Sequence, residues 1–166
     1  MTYTIDNRSK QVSVGFAAPV TNAIAAFKGL TIDEQLGLLW VLYENMGRSI
    51  TPAAPGAARL QFAAGLLADV KAMPHQDQLQ FMRDLATKKN TSLTRSYGVL
   101  TNNTKLAFWF QLAEAMRTGE VIPVPSFYKL SQAALNVFGQ ISRLEFNQQI
   151  TVLRQAVVDM GVDPIA

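Results

Sequence analysis

An all-α fold follows from three features of the sequence. Helix punctuation recurs along the chain: Thr31 stands three residues before Glu34, and Gly119 and Gly161 stand just past apolar helical runs. Apolar residues fall at helical spacing, while the alternation of a strand is weak throughout. Charge is also scarce, because only 16% of the 166 residues are charged, against about 25% in an average soluble domain. With 49% of the chain apolar, there is more apolar side chain than a small core needs.

Taken in order, residues 1–18 carry no helical period and read as an N-terminal arm. Pro19 fixes φ at a helix start, and that helix runs to about Lys28. Thr31 and Glu34 form a capping box for the next helix, with Gly47 expected to close it as a left-handed cap. Thr51-Pro52-Ala53-Ala54-Pro55-Gly56 reads as a rigid turn before an alanine-rich helix through Leu60 to Met73, where Pro74 interrupts. Helices are expected near 75–88, 92–99 and 103–118, the last capped by Gly119. Glu120-Val121-Ile122-Pro123-Val124-Pro125 is extended, since each proline bars its predecessor from the α region. Another helix starts near Ser131. The last, over 145–160, carries the stripe Phe146, Ile150, Leu153, Val157, Met160 and ends at Gly161. The expected layout is an arm (1–18), one all-α domain (19–161) and a tail (162–166).

Composition excludes several kinds of chemistry. The chain has no Cys and one His, so disulfides, thiolate catalysis and Cys or multi-His metal sites are absent. His75 reads as an exposed helix-start residue. No phosphate-binding glycine loop occurs, and Lys88-Lys89 with scattered arginines give a pI near 9.3 without a basic stripe. Nucleic acid is therefore not an expected partner, and no apolar run is long enough to span a membrane. A soluble cytoplasmic protein that is not an enzyme is expected.

Two segments are unusual. Eight of the eleven residues from Leu36 to Met46 are apolar, leaving only Gly37, Glu44 and Asn45. Leu106, Ala107, Phe108, Trp109, Phe110, Leu112 and Met116 make a second helix apolar all round. Such helices are either fully buried or line a pocket. The methionines Met46, Met82, Met116 and Met160 would suit contact with a flat polyunsaturated ligand, although core filling is the ordinary role of the residue. Arg154 lies beside the last helix's apolar stripe, either as a solvated edge residue or as an arginine at the mouth of an apolar tunnel.

Several blocks carry a family resemblance. Asp33-Glu34-Gln35-Leu36-Gly37-Leu38-Leu39-Trp40, Met46-Gly47-Arg48, Ala53-Ala54-Pro55-Gly56-Ala57-Ala58, Lys105-Leu106-Ala107-Phe108-Trp109, Gln148-Gln149-Ile150-Thr151-Val152-Leu153-Arg154 and Ala156-Val157-Val158-Asp159-Met160-Gly161 resemble the N-terminal domain of the cyanobacterial orange carotenoid protein. The resemblance covers nearly the whole chain. Because the sequence stops at Ala166, it is similar to the stand-alone helical carotenoid proteins, and Phe110 and Val124 stand where the family has Tyr and Ile.

The resemblance implies two interleaved four-helix bundles around a carotenoid tunnel. It also implies a bound keto-carotenoid (canthaxanthin, echinenone or 3'-hydroxyechinenone) and photoprotection by quenching singlet oxygen or antenna excitation. Carried over residue by residue, the ligand wall is Leu36, Leu39, Trp40, Tyr43, Met82, Leu106, Trp109, Phe110, Met116, Val124, Tyr128, Ile150, Thr151 and Val157. Arg154 would meet an acidic partner, either the phycobilisome or a carotenoid carrier like the family's C-terminal domain. The protein would act as a monomer or weak dimer in the cytoplasm or at the cytoplasmic face of the thylakoid. Without a sensor domain it would be constitutively active. The rival reading is an unpigmented helical adaptor, with the aromatic helices as core and Pro123–Pro125 as a docking edge.

Overall fold

A computed structural model describes residues 15–50 and 60–165, with side chains over 15–46 and 63–165. Among the described residues there are eight helices and no strand. They are α1 (Ala18–Lys28), α2 (Ile32–Ile50), α3 (Leu60–Lys71), α4 (His75–Thr87), α5 (Ser92–Gly98), α6 (Asn102–Thr118), α7 (Gln132–Ser142) and α8 (Phe146–Val158). The expected rigid turn and most of the arm lie outside the described residues.

Local signals set most boundaries. The Thr31 N–H donates to Glu34 Oε1 (2.9 Å) and the Glu34 N–H to Thr31 Oγ1 (3.3 Å), which completes the capping box of α2. The second carboxylate oxygen of Glu34 accepts from the Ser131 hydroxyl, and Ser131 itself caps α7 by accepting from the Ala134 N–H. The starts of α2 and α7 are thereby tied together. Gly119 closes α6 as expected and Gly161 follows α8, and both are left-handed (φ 83° and 76°). Gly47 is a correction: α2 runs through it to Ile50. An interior glycine costs a helix only about 1 kcal/mol, and the next strong stop is Pro52, which disfavours the helical conformation of the residue before it.

The helices form two groups of four. α1, α2, α7 and α8 pack together, and α3, α4, α5 and α6 make the second group. The second is inserted in sequence between the halves of the first, so the bundles interleave. α6 against α8, and α2 against α4 and α6, join the groups. Phe27, Leu38, Leu39, Leu42, Phe108, Leu112 and Leu153 fill the core. Phe108 stands edge-on to Phe81 (6.5 Å) and Tyr97 (5.7 Å).

The extended segment after α6 crosses from one group to the other, and buried Gln78 anchors it. Its Nε2 donates to Val70 O (3.0 Å) and Glu120 O (3.1 Å), while its Oε1 accepts from the Ile122 N–H (2.7 Å). Two backbone groups of the extended segment are thus tied by one amide to the last turn of α3. Gln78→Met preserves the bulk but strands Glu120 O and the Ile122 N–H, while Val70 O keeps its bond from the Met73 N–H, so it should cost about 3 kcal/mol. Denaturant titration measures this, and a change below about 0.5 kcal/mol would contradict the anchoring role.

Candidate functional site

A cavity of about 290 Å³ opens where α2 and the second helix group meet, roofed by the extended segment. α2 contributes Leu36, Leu39, Trp40 and Tyr43, one helical face. α4 adds Leu79 and Met82, and α6 adds Trp109, Ala113 and Met116 at i, i+4, i+7. Ile122, Pro123, Val124, Pro125 and Tyr128 close the roof. Asp33 and Arg83 stand in the same wall and hold each other through two bonds, Nε to Oδ1 at 2.9 Å and Nη2 to Oδ2 at 3.0 Å.

The inner aromatics are fixed through their polar atoms. Tyr43 is buried and its hydroxyl donates to Leu106 O (2.8 Å). Trp109 donates from Nε1 to Tyr97 Oη (3.0 Å), and the Tyr97 hydroxyl donates in turn to Val157 O. Hydrogen bonding is therefore satisfied inside the protein, and the inner rings offer the cavity apolar surface. Burial pushes the Tyr43 phenol well above its ordinary range, helped by the charge of Tyr97 when that ionises. Burial likewise raises Tyr97, opposed by the bond from Trp109. Lys105 borders this cluster: it donates to Val158 O (3.2 Å), lies 5.4 Å from the Tyr97 ring centre, and is lowered chiefly by burial.

Nine of the residues expected at a ligand line this cavity: Leu36, Leu39, Trp40, Tyr43, Met82, Trp109, Met116, Val124 and Tyr128. Five lie outside its wall. Leu106 and Val157 are buried behind it and accept the hydroxyls of Tyr43 and Tyr97. Phe110 on α6 and Ile150 on α8 are partly buried against the core, and Thr151 bonds its own helix at Asn147 O (2.9 Å). Arg154, also on α8, is half-buried; its Nε is enclosed without a hydrogen-bond partner, as is Gln111 Oε1 on α6. Leu79 and Ala113 were within reach of sequence reasoning, lying three residues before Met82 and four after Trp109. Tyr97 and the Asp33–Arg83 pair had no local signal. His75 is exposed as expected, with a ring nitrogen 3.3 Å from Gly119 O. Among the described residues no group of acids and histidines could hold a metal.

Comparison with known proteins decides the family. The sequence profile of the orange carotenoid protein N-terminal domain matches residues 13–163. This chain belongs to that family. An orange carotenoid-binding domain-containing protein of Nostoc sp. is 55% identical over 170 residues, covering 100% of this chain and 99% of the relative. The orange carotenoid-binding protein of Synechocystis sp. is 46% identical over 162 residues, and there the chain spans 51% of the relative's length. Among solved structures, the Anabaena (Nostoc) sp. orange carotenoid protein binding canthaxanthin superposes with a TM-score of 0.79 at 45% identity, over 87% of this chain and 47% of that one. The Anabaena (Nostoc) sp. red carotenoid protein binding canthaxanthin superposes at 0.75 and 37% identity, over 86% of this chain and 97% of that one. The all-α architecture of the family is the architecture found here.

The buried phenols give a pH dependence. An unfolded tyrosine ionises near pH 10.0, whereas Tyr43 and Tyr97 in the fold do so only well above it. Their contribution is fully present below pH 10.0 and is lost as pH rises from there toward the folded values. Phenolate absorbance should therefore appear for these two only together with the loss of helical circular dichroism. Full titration with the helices intact would show that they are not sealed.

Proposed function

We propose that this protein binds one keto-carotenoid lengthwise between its helix groups and acts in photoprotection. The observation that supports this best is the cavity wall: rigid aromatic faces alternating with Leu and Met, and inner polar atoms already satisfied by the protein. Such a wall suits a long, flat, apolar ligand. The cavity takes one end ring and part of the polyene. The rest runs along the seam of α6 and α8, past Phe110, Ile150 and Thr151, with Arg154 at its mouth.

Burial supplies the affinity. At about 25 cal/mol per Å², a few hundred Å² of polyene removed from water is worth on the order of 10 kcal/mol before association costs. The pigment performs the photochemistry: it accepts energy from singlet oxygen or excited antenna pigments and releases it as heat. The protein keeps it dispersed and holds its end ring, and no acid or base is required. Arg154 is half-buried and has no acidic partner among the described residues, so its guanidinium is left for a carboxylate, and a contact with the phycobilisome or with a carotenoid carrier would pass through it.

Protein produced in a host rich in canthaxanthin should purify orange to red and melt higher than the apoprotein. Colourless protein with an unchanged melting point would refute the proposal and favour the unpigmented adaptor. Trp109→Phe keeps most of the apolar volume but loses the bond to Tyr97, so the holoprotein should bind more weakly by about 1–3 kcal/mol with a displaced absorbance band. An unaltered affinity and spectrum would remove Trp109 from the site.

A further inference from the structure

Hydrogen bonds close the cavity on two sides. At its inner end Tyr43 and Trp109 are buried and held at Leu106 O and Tyr97 Oη. Its roof is fixed by Gln78 at the Ile122 N–H and, beyond Tyr128, by the bond from Ser131 to Glu34. The side between α2 and α4 is built differently. Asp33, Leu36, Gly37 and Trp40 share one face of α2 at i, i+3, i+4, i+7, so the stripe that lines the cavity ends, toward the helix start, in a carboxylate. On α4, Leu79 and Met82 lead to Arg83.

Outside the cavity the same cleft continues as a hollow lined by Thr31, Ile32, Asp33, Gln80, Arg83 and Thr87. Asp33 and Arg83 border both spaces, so their ion pair is the partition between an apolar cavity and a polar hollow. The other polar side chains of the hollow bond on their own side of the cleft: Thr31 Oγ1 accepts from the Glu34 N–H (3.3 Å), Gln80 Nε2 donates to Asp84 Oδ1 (2.9 Å) and Thr87 Oγ1 donates to Arg83 O (2.9 Å). Among these six residues only the ion pair carries a bond from α2 to α4. Its two parallel bonds define one closed geometry. Yet the Asp33 and Arg83 side chains are 67% and 39% exposed, and an ion pair so wet is weak and readily screened by salt.

We propose that the Asp33–Arg83 pair is a door through which the carotenoid enters and leaves the cavity end-on, a role that rests on the carotenoid reading given above. A long apolar ligand needs a path along its own axis. The α2–α4 cleft leads from the polar hollow onto Leu36, Trp40 and Met82, and parting the pair breaks none of the bonds that hold Tyr43, Trp109 or Gln78. Closed, the pair sets two charges across the end of an apolar wall and bars an end ring from backing out. Open, each charged group turns into the hollow, where water replaces its partner at little cost. A door lies on the path in both directions, so it governs loading and release alike.

The test follows transfer of canthaxanthin between phosphatidylcholine vesicles, in excess, and the full chain, in both directions, by the absorbance of the bound pigment. Loading and release of the wild type should both quicken about three-fold between roughly 0.05 M and 0.5 M NaCl. Arg83→Gln should quicken both about five-fold at low salt and abolish the salt dependence. A change confined to one direction would mark Arg83 as a wall contact and overturn the door. Because the chain has no Cys, Asp33→Cys combined with Arg83→Cys supplies two thiols that a cleavable bis-maleimide can join across the cleft. The linked form should load about ten-fold more slowly than the unlinked one, and cleaving the linker should restore the rate, which a misfolded variant would not do. Equal loading of the linked and unlinked forms would overturn the door and leave carotenoid binding standing. Failure of every form, wild type included, to take up pigment would overturn both.

Discussion

The hydrogen-bonded chain from Trp109 through Tyr97 to Val157 is the constraint on which the cavity depends. An apolar cavity in a helical protein is under pressure to collapse, because empty space forfeits packing contacts. Here the rings that hold it open cannot rotate inward without breaking bonds to buried partners. Trp109 on α6 is held by Tyr97 on α5, which is held by α8, while Tyr43 on α2 is held by the backbone of α6. Four helices from both groups are thereby locked at one point, and each lost bond would leave a buried polar atom unpaired. Gly161, with its left-handed backbone, allows the turn after α8 to press against Tyr97; an added Cβ there would come within 2.6 Å of the ring.

The roof follows a different rule. The segment from Glu120 to Pro125 has few backbone bonds of its own, since its prolines donate none. Gln78 replaces that missing ladder with one side-chain amide, and Val121 is drawn into the core beneath it. Beyond the anchor the roof becomes exposed: Phe127 is 83% accessible, and Tyr128 lies between solvent and cavity. A rigid floor of packed aromatics thus faces a roof anchored by Gln78 at its start and by the Ser131–Glu34 bond beyond its end.

Much of the fold was legible because helix ends are written locally. Thr31, Ser131, Gly119 and Gly161 act within a few residues of themselves, and each marked its boundary. Gly47 misled because glycine serves equally as a cap and as a tolerated interior residue, and nothing nearby distinguishes the two. The site was half legible. Two helices apolar on every side announced either core or ligand wall, and the resemblance, not the periodicity, separated Leu36, Leu39, Trp40 and Tyr43 from plain core. Tyr97, Gln78 and the Asp33–Arg83 pair stayed hidden because their partners lie 60, 42 and 50 residues away in sequence. Leu106 and Val157 were expected to touch a ligand, yet their visible work is done by carbonyl groups, which side-chain identity does not encode.

The central claim is that the pigment lies between Trp40 and Trp109, and the chain has just these two tryptophans, both in the cavity wall. Titrating the apoprotein with canthaxanthin while following tryptophan emission tests it directly, since a polyene in contact with both indoles quenches both. The account predicts near-complete loss of emission, saturating at one pigment per chain. Saturable pigment binding with half or more of the tryptophan emission retained would contradict it and put the carotenoid elsewhere on the protein.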